Sequence, residues 1–171
     1  MSILKDYSGN VIFVTHDIEE AFRVCDNIAV FDKGTALNNR NKIDLFKSPK
    51  SYAEAKLTGC KNLSPAKLSS SNKIYAESWG YEYTINALHT DNINYVGIRA
   101  HHIELANSDD EINSYSFIVE NIIENPFDYT IYIKNPILPN GDLIRFSLDK
   151  KKLTFKISDT INVKFPIESL F

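Results

Sequence analysis

Two rhythms divide this chain. Up to about residue 60, apolar residues fall in short unbroken runs and at helical spacing; beyond Asn62 they alternate with polar ones. Val11, Ile12, Phe13 and Val14 are continuously apolar, the pattern of a strand buried on both faces. Ile18, Ala21, Phe22 and Cys25 then follow at i, i+3, i+4 and i+7, one face of a helix. Asp17 suits its N-cap, and Glu19 and Glu20 suit its positive end. Ile28, Ala29, Val30 and Phe31 predict a second buried strand, which Asp32, Lys33 and Gly34 turn back. Short helices are expected over 42–46, stopped by Ser48 and Pro49, and over 51–57, closed by Gly59.

In the second region Tyr81, Tyr83 and Ile85 alternate with Glu82, Thr84 and Asn86. Phe127, Tyr129, Ile131 and Ile133 do the same, as do Leu153, Phe155 and Ile157. These are half-buried strands. Turns are expected at Trp79-Gly80, Asn125-Pro126, 139–142 and Ser158-Asp159. Many short strands at this spacing predict a small β-barrel or sandwich, with the polar stretch 107–111 dividing it. The apolar end, 165–171, reads as a last strand docked on it. The stretch 64–72 reads as a link or first edge turn. Two domains follow, 1–60 and 61–171, and the fold class is α+β.

Composition narrows the function classes. The chain has 171 residues, enough for one ordinary domain or two small ones, with 43% hydrophobic and 12% aromatic content. A net charge of −3 argues against a general nucleic-acid binder, which needs a basic face. No apolar run approaches the ~20 residues of a membrane-spanning helix, and the first residues lack the order of a signal peptide. Cys25 and Cys60 lie far apart and read as reduced thiols, consistent with a cytoplasmic setting.

His16 is the residue with most chemical promise. It ends the first apolar run just before a helix, where ligands bind in open α/β folds. An imidazole N–H there can donate to a phosphate oxygen and stabilise charge during phosphoryl transfer. Residue spacing by itself favours a structural histidine at a strand end.

The segment Phe13-Val14-Thr15-His16-Asp17-Ile18-Glu19-Glu20-Ala21-Phe22, continuing through 25–30 to Gly34, resembles the switch-histidine region of ABC importer ATPases. Leu57-Thr58-Gly59-Cys60-Lys61-Asn62 resembles the joint after the ATPase domain in molybdate/tungstate-type importers. Val96-Gly97-Ile98-Arg99-Ala100-His101-His102-Ile103-Glu104-Leu105 is similar to the start of the TOBE-type regulatory domain, an OB-like barrel. The resemblance implies the C-terminal part of an importer's ATP-binding subunit: a partial α/β ATPase remnant followed by an OB-like (TOBE-type) all-β barrel. It implies ATP and Mg in the intact subunit and His16 as its switch histidine. It also implies a second copy of the subunit, transmembrane permease subunits and an external substrate-binding protein as partners. The subunit would then lie at the inner face of the cell membrane. The chain carries no G-x-x-x-x-G-K-[ST] and no glycine-rich signature helix start. By itself it is expected not to hydrolyse ATP and to need no cofactor.

Oxyanion binding is the expectation for the barrel, with molybdate or tungstate as the anion. Such anions want a ring of N–H and O–H donors. Lys61, Ser69, Ser70, Ser71 and Lys73 supply donors near the domain entrance; a solvated loop is the plain alternative. His101-His102 reads as a solvated strand-end pair, since no Cys or carboxylate follows at ligand spacing, and no metal site is expected. Arg99 is expected to pair with Glu104 or Glu120. Trp79, Tyr81 and Tyr83 are read as core packing ahead of a base-stacking platform. Two other functions stay open: a stand-alone oxyanion-binding module with residues 1–60 as a dimerisation arm, and an OB-like nucleic-acid binder. If the first region has lost its sheet neighbours, its apolar strands are expected to be exposed or re-paired between copies.

Overall fold

A computed structural model of the chain describes residues 9–86, 93–107 and 111–171. The start of the chain, and the middle of the polar stretch expected to divide the barrel, lie outside these residues. The chain forms two compact units, one up to Pro49 and one from Lys50 to Phe171. The helix at 52–57 and the joint that follows it therefore belong with the second unit, earlier than the boundary read from the alternation.

The first unit is built from short elements. Helix α1, Ile18–Val24, starts as expected: the Asp17 carboxylate accepts from the Glu19 and Glu20 N–H groups at 2.9 and 3.1 Å. Strands β1 (Asn27–Ile28) and β4 (Arg40–Asn41) pair antiparallel, as do β2 (Phe31–Asp32) and β3 (Thr35–Ala36). Lys33 and Gly34 join β2 to β3 with φ of +48° and +80°, the two positive values a tight hairpin turn needs. Helix α2, Lys42–Lys47, is capped by Asn41. Phe22 and Phe46 meet edge-on at 4.8 Å.

Two expected strands are corrected here. Residues 11–14 form no strand, and Ile12 and Val14 are 92% and 88% exposed. An all-apolar strand is stable only between neighbours that cover both faces, and no described residue pairs with this one. The second run breaks into β1 and β2, with Ile28 and Val30 buried but Phe31 exposed.

The second unit is a β-barrel entered through helix α3, Tyr52–Leu57. Ser51 caps the helix, and the buried Glu54 carboxylate accepts from the Lys50 N–H at 2.6 Å. Gly59, at φ +87°, closes it. Four strands make one antiparallel sheet in the order β7-β6-β5-β8: β5 Asn62–Ser70, β6 Lys73–Ala76, β7 Tyr81–Thr84 and β8 Tyr95–Ile98. Five make the other, β12-β11-β10-β13-β9: β9 Glu104–Leu105, β10 Ser114–Glu124, β11 Asp128–Lys134, β12 Ile144–Asp149 and β13 Thr160–Lys164. Strand β10 is long and bulged between Val119 and Asn121, so its first half pairs with β13 and its second with β11. A bulge bends a strand in this way and helps a sheet curl toward closure.

One core fills the space between the sheets. Trp79, Tyr83, Phe117, Phe146 and Phe165 are all essentially inaccessible. Tyr83 and Phe165 meet at 5.0 Å and Trp79 and Tyr83 at 5.6 Å. Three buried asparagines clamp the rims. The Asn62 amide donates to the Arg145 carbonyl at 2.7 Å and accepts from its N–H at 2.9 Å, standing in for a strand neighbour along β12. Asn113 does the same for the backbone of Thr84, and Asn135 holds the Trp79 carbonyl.

Several expectations change. The stretch 64–72, read as a link or first edge turn, is mostly strand β5. Its inward residues are Asn62, Ser64 and Ala66, too small and polar to show an apolar alternation. Residues 153–157 form no strand, although Leu153 and Phe155 pack against the core; the strand there is β13. Phe127 sits in a turn and is 92% exposed. The chain end is a 3₁₀ turn, Ile167–Ser169, followed by a two-bond clasp between Phe171 and Gly97 at 2.8 and 3.1 Å. A Cβ at Gly97 would lie 2.6 Å from the Phe171 ring, so any larger residue there forces the Phe171 and Leu63 side chains to shift.

Candidate functional site

His16 lies exposed in a bend just before α1. The residues around it are locked locally. The Thr15 hydroxyl accepts from the Asp17 N–H at 3.1 Å and donates to Glu20 at 2.9 Å. This double cap holds the Thr-His-Asp turn and leaves the imidazole facing outward. The turn can offer one N–H donor to a phosphate. The sequence carries no G-x-x-x-x-G-K-[ST] loop to cradle the other phosphates, and the described geometry around His16 offers this single donor.

The five expected oxyanion residues do not gather at one point. Lys61 lies just before β5, while Ser69, Ser70, Ser71 and Lys73 surround the β5–β6 turn at its other end. Eight residues of extended strand span roughly 26 Å. All five are exposed. The hairpin set can act together; Lys61 cannot join it.

The joint between α3 and the barrel holds more structure than its sequence announced. Arg99 donates to the Thr58 carbonyl at 2.8 Å and to its hydroxyl at 3.1 Å, fastening the end of α3 to β8. The Cys60 thiol is buried between the Asn62 and Ile98 carbonyls. Burial pushes its pKa up, against weaker pulls from the Asn62 hydrogen bond and from Arg99 and Arg145. It is therefore a structural thiol. His101 and His102 belong to a 3₁₀ turn, Ala100–His102, where a strand end was expected. Their rings meet edge-on at 4.3 Å, and burial, then His101 and Arg99, lower the His102 pKa. Among the described residues no group of three or more His, Cys, Asp or Glu side chains could hold a metal ion, and no helix is long and apolar enough to cross a membrane.

The aromatic residues fall where packing predicts. Trp79 and Tyr83 are sealed in the core, so neither offers a face for base stacking. The Tyr83 hydroxyl is buried with no hydrogen-bond partner among the described residues. Tyr81 stacks on Tyr115 at 4.2 Å and donates to the Ser116 carbonyl.

Comparison with known proteins agrees with this geometry. Over 109 residues the chain is 33% identical to "Fe(3+) ions import ATP-binding protein FbpC" of Escherichia coli O157:H7 and to the protein of that name from strain K12. The match covers 63% of this chain but 30% of each relative, so the chain corresponds to under a third of their length. The chain is similar to the C-terminal part of an ABC importer ATP-binding subunit. Among solved structures it is similar to the cytoplasmic molybdate-binding protein ModG, in a form with molybdate bound. The TM-score is 0.50, over 66% of this chain and 95% of that one. At 12% identity that likeness speaks to fold alone, and it supports the OB-like, TOBE-type barrel. No protein-family model matches the chain.

Proposed function

We propose that the chain serves as the C-terminal portion of the ATP-binding subunit of an ABC importer for molybdate, tungstate or a related oxyanion. The barrel acts as its regulatory and dimer-contact domain. The observation that carries this reading is the sequence match to importer ATP-binding proteins, on a chain whose second unit is an OB-like barrel. In the assembled subunit His16 contacts the terminal phosphate of ATP, whose Mg²⁺ and remaining contacts come from the nucleotide-binding core. The partners are a second copy of the subunit, a permease pair and an external binding protein. The subunit works at the inner membrane face. The Ser69–Lys73 hairpin is one candidate contact for a regulatory anion.

A second reading, import of iron(III), is favoured by the name of the curated relatives. Iron(III) sensing by the barrel would call for hard ligands such as carboxylates and imidazoles grouped together, and the described residues group none.

Transport assays on the complete system test both readings. Uptake of molybdate or tungstate that is lost with His16→Ala, with ATP turnover down about 10²–10³-fold, is the expected result. Uptake of iron(III) alone would replace the substrate. Full activity in the His16→Ala protein would remove the switch role.

A further inference from the structure

The β12 edge carries an arginine that the fold explains only in part. The Arg145 backbone is clamped by Asn62, and the residues on either side of it, Ile144 and Phe146, point into the core. Its side chain therefore lies on the outer face of the five-stranded sheet. There its Nε is buried without a hydrogen-bond partner among the described residues. An unsatisfied buried donor is costly, and an arginine fork is the side chain best shaped for a planar, two-point grip on an oxyanion.

The surroundings fit the same ligand chemistry. Tyr132 lies directly across from Arg145 on β11, and Ser147 is the next outward residue on β12; cross-strand and i+2 residues share a face. Both are half-buried and bring hydroxyl donors. Thr58, which anchors the Arg99 guanidinium, and Asn62, which holds the Arg145 backbone, flank Cys60, and both arginine charges act on that thiol. The 3₁₀ turn bearing His101 and His102 packs on β12. The seam thus carries two guanidinium charges in a chain that is acidic as a whole.

We propose that Arg145, with the Tyr132 and Ser147 hydroxyls beside it and the Arg99 charge across the seam, binds a tetrahedral oxyanion on the outer face of the barrel. Because Nε has no partner among the described residues, a bond from Nε to a ligand replaces none at that atom. The site lies apart from the Ser69–Lys73 hairpin. It shares only the oxyanion class with the functional proposal and rests on that reading no further.

The test is calorimetric titration of the full chain, in chloride buffer, with phosphate, sulfate, molybdate and tungstate, alongside thermal melts. The expected result is saturable binding of at least one anion and a raised Tm. Arg145→Gln weakens that binding about tenfold or more. Arg145→Lys, which keeps the charge and loses the fork, falls between. Lys156→Gln, a charge-matched control, binds as the wild type does. Melts without anion confirm that each variant is folded. Arg145→Gln binding like the wild type, or loss in Lys73→Gln alone, overturns the site and leaves the importer reading standing. Phosphate or sulfate binding, with molybdate and tungstate silent, upholds the site and removes its link to the transported anion. No binding of any anion overturns the site, while the uptake assay still decides the importer reading.

Discussion

The two units of this chain dispose of their apolar residues in opposite ways. Around residues 11–14 the first unit turns its most apolar run outward, with Ile12 and Val14 almost fully exposed. The second seals five large aromatic side chains between two sheets. The run at 11–14 has the composition of a core strand, and the inward side of β5 does not. A buried-strand pattern is therefore a statement about the neighbours a segment requires, and these are present for the barrel and missing, among the described residues, for the run at 11–14.

The sharpest way to break this comparison is to empty the barrel core. Phe165 touches Trp79, Tyr83 and Phe117 within 6 Å between ring centres. Phe165→Ala is expected to cost about 3–5 kcal/mol, measured by denaturant unfolding with Trp79 fluorescence. A cost under about 1 kcal/mol would mean that the two sheets are not joined by a single packed core.

A smaller effect is expected at the rim. Asn62→Ala leaves the Arg145 N–H and carbonyl without the amide that serves them. The expected loss is about 1–3 kcal/mol, and the Arg145 amide should exchange its hydrogen faster than its neighbours on β12. Unchanged exchange there would mean that water replaces Asn62 without penalty.

What could be read from the sequence follows from where the physics is local. Caps and turns were legible, because the Asp17 carboxylate serves the N–H groups two and three residues on, and Lys33-Gly34 and Gly59 act through their own backbone. Strands whose inward residues are large, such as Tyr83, Ile131 and Ile133, were legible from alternation. Strand β5 was hidden because its inward positions are Asn62, Ser64 and Ala66, which close the barrel through hydrogen bonds and tight fit. The position of His16 before a helix was legible from its turn. Arg145 was not, because nothing in its local sequence shows that a rim asparagine 83 residues away holds its backbone.

The smallest effect sharpens the comparison furthest. Val14→Ser, at a side chain 88% exposed, is expected to change the stability of this chain by less than about 0.5 kcal/mol. The same change in a complete ATP-binding subunit has a different expectation under the functional proposal, because neighbouring strands there cover the run. Moving a valine from full burial to serine then costs about 1.5–3 kcal/mol. Thermal unfolding of both proteins, each with and without the substitution, measures the difference directly. A penalty confined to the complete subunit would identify residues 11–14 as a strand awaiting its sheet. Equal small effects in both would make the run a surface segment in the larger protein as well, and the turn that presents His16 would then have to be positioned by α1 and its double cap alone.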